Sequence, residues 1–179
     1  PTPKTGHFMS TTIQTHYLKD DGIIPNNALP MLVYSAAVDT ACPDPAAAFE
    51  KLFAQNQWTG GSWRNGIYPF PHYHSTAHEV LGIASGTAQV RLGGENGVVL
   101  NVQAGDVVLL PAGVGHQKLD ASDDLLVVGA YPPGQDWDLC RGADDERPHV
   151  LDNIRNVALP PADPVCGSEG GTNKHWHSA

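Results

Sequence analysis

The sequence predicts a mainly β fold with one helix near its N-terminal end. Three observations predict it. Short apolar segments recur between Gly- and Pro-rich breaks, and glycine and proline are abundant, at 19 and 15 of 179 residues, as turn-rich sheets require. Only 44–58 carries the strong spacing of an amphipathic helix. No internal repeat is visible, and 179 residues are enough for one domain with its own core.

Residues 1–10 (PTPKTGHFMS) are polar and patternless, and Met9 is a candidate natural start. TIQTHYL (12–18) reads as a strand, DDGIIPNN (20–27) as a turn-rich link, and LPMLVYSAA (29–37) as an extended segment apolar on both faces. In DPAAAFEKLFAQNQW (44–58), Asp44 can cap the first amides and Pro45 suits the first helical turn. Phe49, Leu52 and Phe53 share a face, and Gly60-Gly61 mark the expected end. WTGGSWRNG (58–66) leads into GIYPFPHYHSTAHEVLGIASG (66–86). There Pro69 and Pro71 lack N–H donors, which restricts this stretch to an edge or a bulge. GTAQVRL (86–92), the Gly-rich turn GGENG and VVLNV (98–102) read as a hairpin. DVVLL (106–110), the turn PAGVG and LLVVGAY (125–131) complete the strand series. From Pro132 the chain is loop-rich, with one helical patch near 149–157, and is expected to wrap the surface.

The chemistry concentrates in 66–86. His72 and His74 are two residues apart, which on an extended chain points both imidazoles to one face. Glu79 follows five residues after His74, and His116 follows 42 residues after it, behind the Pro-x-Gly turn. Neutral imidazoles suit Fe, Mn, Ni, Co, Cu or Zn, and a carboxylate adds a hard anionic oxygen. One divalent transition metal ion is therefore expected on His72, His74, Glu79 and His116. His78 stands beside Glu79 as the alternative third ligand of the first cluster. Glu79 is favoured, since it begins the alternating set Glu79, Leu81, Ile83 that would face the interior. His78 would then face outward or toward a subunit interface. Tyr68 and Tyr73 are candidate proton donors. Tyr68, Phe70, His72 and His74 share a parity, so an aromatic wall beside the metal is expected. Trp63 and Arg64 are candidates for the cavity mouth, with a surface role for Arg64 favoured.

Gly66, five residues, His72-x-His74, four residues, Glu79, six residues, Gly86 resembles the first motif of the cupins throughout. Gly105, five residues, Pro111-x-Gly113, two residues, His116 resembles the second, except that Asp120 stands where many cupins have Asn. The wording HYHSTAHEVLG, PAGVGH and VVGAYPPGQDWDL is similar to small bacterial cupins of the YjlB type over nearly the whole chain. The resemblance implies a double-stranded β-helix, a jelly-roll barrel with its core at about 62–132. The N-terminal strands and helix (12–58) and the tail (133–179) would belong to the same single domain over 1–179. It also implies N-terminal segments that often pair with a second subunit. Dioxygenases, oxalate-cleaving enzymes, isomerases and lyases all work at such centres, so the fold does not choose a reaction. The first expectation is a dioxygenase-type oxidoreductase on a small organic substrate. The others are a non-redox isomerase or lyase, and a small-molecule binding or sensing domain without turnover.

Composition sets the remaining bounds. A net charge of −9 and a pI near 5.3 argue against nucleic acid and anionic membrane surfaces, which reward clustered Lys and Arg. No apolar run approaches a membrane span. No charged-then-apolar leader is visible, so a cytoplasmic location is expected. Cys42, Cys140 and Cys166 form no CxxC pair, and reduced thiols are expected. The extended segments 12–18 and 29–37 offer strand edges, from which a homodimer is expected.

Overall fold

A computed structural model describes residues 11–178, so Met9 and its neighbours lie outside the described residues. In chain order the elements are β1 (Thr12–His16), β2 (Met31–Ser35), α1 (Pro45–Gln55), β3 (Ser62–Asn65), β4 (Glu79–Ser85), β5 (Thr87–Leu92), β6 (Val98–Gln103), β7 (Val107–Leu110), β8 (His116–Ala121), β9 (Leu126–Ala130), α2 (His149–Asn156) and α3 (Thr172–His175). The strands form a six-stranded antiparallel sheet in the order β1-β2-β7-β4-β9-β3 and a three-stranded sheet in the order β6-β5-β8. This is a mainly β, jelly-roll architecture.

The pleat explains how the large sheet serves two cores. Met31, Val33, Leu81, Ile83, Val108 and Val127 point inward and meet Val90, Leu92 and Val102 of the small sheet. Their alternate neighbours Leu32, Tyr34, Val80, Val107, Leu109 and Val128 point the other way, against Ala46, Phe49 and Phe53 of α1. Strand β2 is therefore apolar on both faces because both faces are covered. It is an interior strand between β1 and β7, not the free edge expected from its sequence; only β1 is left at that margin.

Asp44 caps α1 by accepting from Ala47 N–H at 3.0 Å, and Pro45 opens the helix. The helix stops at Gln55, ahead of Gly60-Gly61, because Gln57 takes a left-handed φ of 68°. Trp58 then turns inward, and its indole N–H donates to Ala162 O at 2.9 Å. Gly82 lets α1 lie flush on the sheet, since a Cβ there would stand 2.4 Å from the Phe49 ring.

The tail wraps the outside of the large sheet. Asp163 accepts from Val165, Cys166 and Thr172 N–H and from the Tyr34 hydroxyl, which satisfies a fully buried carboxylate. Strand β8 and helix α3 were not legible as elements, being short and largely polar. No helix among the described residues is long and apolar enough to cross a membrane.

Candidate metal centre

The stretch 66–74 is not a regular strand. Its prolines interrupt the ladder, and it joins the barrel through two isolated bridges, His72 with His116 and Tyr73 with Cys140. The first bridge builds the site. His72 N–H donates to His116 O at 3.2 Å and His116 N–H donates to His72 O at 2.9 Å. That exchange ties the two sequence motifs together and sets the two rings 3.9 Å apart. His74, two residues on, points to the same side, and Gly113 N–H of the Pro-x-Gly turn donates to its carbonyl at 2.7 Å.

The three imidazoles each bring a ring nitrogen within 4.8 Å of the others. Glu79, the first residue of β4, reaches the cluster from the side of His74 and His116, with its Oε2 3.2 Å from each Nε2. All four side chains are buried. Backbone carbonyls fix the tautomers: His72 Nδ1 faces Phe70 O, His74 Nδ1 faces Asp138 O, and His116 Nδ1 faces Val114 O. A carbonyl can only accept, so each Nδ1 carries a proton, and Nε2 is the ring atom each histidine turns into the cluster. Glu79 Oε2 has no hydrogen-bond partner, and the Nε2 atoms of His74 and His116 stand 3.2 Å from it. A buried carboxylate oxygen without a partner is costly, and a divalent cation shared with the three imidazoles would satisfy it. Three nitrogens and one carboxylate oxygen are a donor set that fits such an ion.

The electrostatics follow from burial and proximity. Burial, helped by the neighbouring His116, pushes the His72 imidazole down to about 3. Burial works against the charged form of His74 too, but the Glu79 carboxylate and the Asp138 carbonyl outweigh it and raise its basicity. Burial alone would raise Glu79; His74 and His116 instead hold its carboxyl well below the usual range.

The cluster forms the base of a cavity of about 670 Å³ whose walls include Trp63, Tyr68, Leu81, Tyr131 and Trp137. Tyr131 closes β9 toward this space. Its hydroxyl donates to Glu79 Oε1 at 2.9 Å and accepts from Trp63 Nε1–H at 3.0 Å. Glycine at 129 is required here, since a Cβ would stand 2.0 Å from the Trp63 indole. Burial and the Glu79 charge hold the Tyr131 phenol protonated. One oxygen of Glu79 is therefore occupied and the other is left for the cluster.

The sequence candidates divide as follows. His72, His74, Glu79 and His116 are brought together. His78 is not: its Nδ1 accepts from Ala112 N–H at 2.9 Å, and its ring packs 4.9 Å from that of Trp176. It does not face outward either, being buried on the helix side of the large sheet with 1% exposure. Tyr68 lines the cavity. Tyr73 is corrected: its hydroxyl donates to Glu146 at 2.6 Å, away from the cavity. Phe70 stacks on Tyr68 under the Arg141 guanidinium and does not line the cavity, so the expected aromatic wall is only partly present. Arg64 stands at the mouth, held by Glu50.

Tyr131, Trp137, Asp138 and Lys118 join the site without being among the sequence candidates. The strand parity of Tyr131 with Val127 was a usable signal. Trp137 and Asp138 sit in a segment without periodicity, and no pattern announced them. Trp137 covers the His74 ring at 5.4 Å. Asp138 pins the segment down by accepting from Ser75 N–H at 2.6 Å and from the Ser75 hydroxyl, while its carbonyl orients His74.

The family model described as Cupin matches residues 63–131. The chain is 38% identical over 169 residues to the uncharacterized protein YjlB of Bacillus subtilis (strain 168), spanning 94% of this chain and 99% of that one. A solved acireductone dioxygenase from Bacillus anthracis, with a cadmium ion in its active centre, is 17% identical with a TM-score of 0.38, over 50% of this chain and 62% of that one. An oxalate decarboxylase of Bacillus subtilis is 21% identical with a TM-score of 0.38, over 66% and 29%. An 11S globulin from Wrightia tinctoria is 15% identical with a TM-score of 0.37, over 54% and 27%.

Proposed function

This chain belongs to the cupin family, and on that premise we propose that it is a metal-dependent enzyme acting on a small organic substrate, by preference an oxidoreductase of the dioxygenase type. The carrying observation is the set of three converging imidazoles and one Glu79 oxygen without a hydrogen-bond partner at the base of a cavity sized for a small ligand. When bound there, a divalent transition ion supplies Lewis acidity and, if redox-active, a path for electrons between substrate and dioxygen.

The residues of the chain supply the rest. The three Nδ1–H bonds to carbonyls hold the imidazoles in one tautomer and one orientation. Tyr131 holds Glu79 by one oxygen and keeps the other turned inward. Trp63, Tyr131 and Trp137 give one side of the cavity an aromatic wall. Tyr131 is bonded on both sides, to Trp63 and to Glu79, so it is poorly placed to carry protons back and forth. Tyr68 is another phenol lining the cavity, so the isomerase or lyase reading, which needs a mobile proton, stands as the alternative. In the same reading the whole chain is one domain and works in the cytoplasm as a homodimer.

The test is elemental analysis of protein purified without added metal, followed by a substrate screen with oxygen uptake recorded in air and under argon. Metal near one per chain and oxygen-dependent substrate loss are expected. Substrate loss that continues under argon would replace this reading by an isomerase or lyase. Ligand binding without any substrate loss would replace it by a sensing role.

A further inference from the structure

The cavity above the histidine cluster carries a cation that no carboxylate answers. Lys118 follows His116 by two residues on β8, so the pleat puts both side chains on one face. It is half-buried, lines the cavity, and its backbone N–H donates to Tyr68 O at 2.9 Å. Among the described residues its ammonium makes no ion pair. The neighbouring cations are committed elsewhere. Arg64 forks onto Glu50 at 2.7 and 2.8 Å, and Arg141 lies 3.9 Å above the Phe70 ring. Asp136 also lines the cavity, but it is carried on the Trp137 segment and does not pair with Lys118.

An unpaired ammonium on a half-buried lysine that lines an aromatic-walled cavity favours an anionic ligand. A carboxylate is one such anion, and it leaves the rest of the ligand free to be flat and apolar. We propose that Lys118 anchors the carboxylate of a small, flat organic acid. The body of the acid lies along Trp63, Tyr68 and Trp137, and a second oxygen reaches toward the histidine cluster. Only that second oxygen rests on the metal reading above; the charge selection by Lys118 stands without it.

The test uses the full chain with 3-hydroxybenzoate and its neutral analogue 3-hydroxybenzamide, titrated calorimetrically against metal-free and Co(II)-loaded protein. The acid should bind about tenfold or more tighter than the amide in both forms, the size of one charge-assisted contact. Lys118→Met should abolish that preference and leave the amide within twofold of the wild type. Lys118→Arg should retain the preference, and unchanged melting of both variants shows that the fold is kept. A preference that survives in Lys118→Met, equal binding of the two probes, or binding of neither overturns the proposal. If cobalt adds no affinity and His72→Ala changes nothing while the Lys118 preference persists, the metal reading fails and the anion anchor is upheld.

Discussion

Glu79 and His78 are sequence neighbours whose side chains lie on opposite faces of one sheet, and that alone assigns them different work. Glu79 turns into the cluster, while His78 turns to Ala112 and Trp176. Glu79→Ala should lose most of the bound metal in elemental analysis, and His78→Asn should keep it. Loss of metal in His78→Asn alone would reverse the assignment. His78 also makes a pH prediction. Burial pushes its imidazole down to about 4, below the unfolded value near 6.5. The unfolded chain thus binds a proton that the folded chain refuses. The resulting stability is fully present above pH 6.5 and is lost as pH falls toward 4, by about 3 kcal/mol. Melting of wild type and His78→Asn at pH 7.5 and pH 5 should show a smaller acid loss in the variant; equal losses would contradict it.

Among the elements, the tail and its last helix act as a latch. Trp176 is 4% exposed, its indole N–H donates to Pro30 O at 2.8 Å, and its ring joins the core on the helix side of the large sheet. It is held from three directions by residues far apart in sequence. Trp176→Ala should therefore cost about 3–5 kcal/mol, the usual loss for a large buried aromatic. Urea unfolding reads it directly, and a loss under 1 kcal/mol would show that the latch is dispensable. The adjacent His175 and His177 do not join a cluster of ligating groups among the described residues. The HWH ending is thus a packing device around its tryptophan.

At the scale of the whole molecule, the cluster joins β4, β8 and the 66–74 stretch, so a cation there would clasp the two sheets. A ligand that binds only the folded state stabilises it by mass action, about 2.7 kcal/mol at a hundredfold excess over its dissociation constant. The metal-loaded protein should melt several degrees above the chelated form; coincident melts would count against the centre. Assembly is a second global prediction. With β1 at the margin of the large sheet and Tyr17, which follows it in the chain, at 69% exposure, a second copy would cover an open strand edge. Light scattering should give about twice 19.0 kDa, and a value near the single-chain mass would refute the dimer.

What depends on spacing along the chain is legible in the order of the residues. The alternation of Glu79, Leu81 and Ile83 placed the carboxylate on the inner face, the His72-x-His74 pair shared a side, and Asp44-Pro45 marked the start of α1. Such local periodicities survive folding because the pleat and the helical turn act residue by residue. The folded molecule alone settles what depends on contacts between distant segments. It decided that β2 is covered on both sides, that α1 ends at Gln55, and that Tyr73 serves Glu146 and not the cavity. It also delivered Tyr131, Trp137, Asp138 and Lys118 to the cavity or its wall. Trp137 and Asp138 come from a loop without periodicity, where backbone geometry is set by partners 63 and 64 residues away. No pattern within the loop encodes those partners; they exist once β4, β8 and β9 have closed around the histidines.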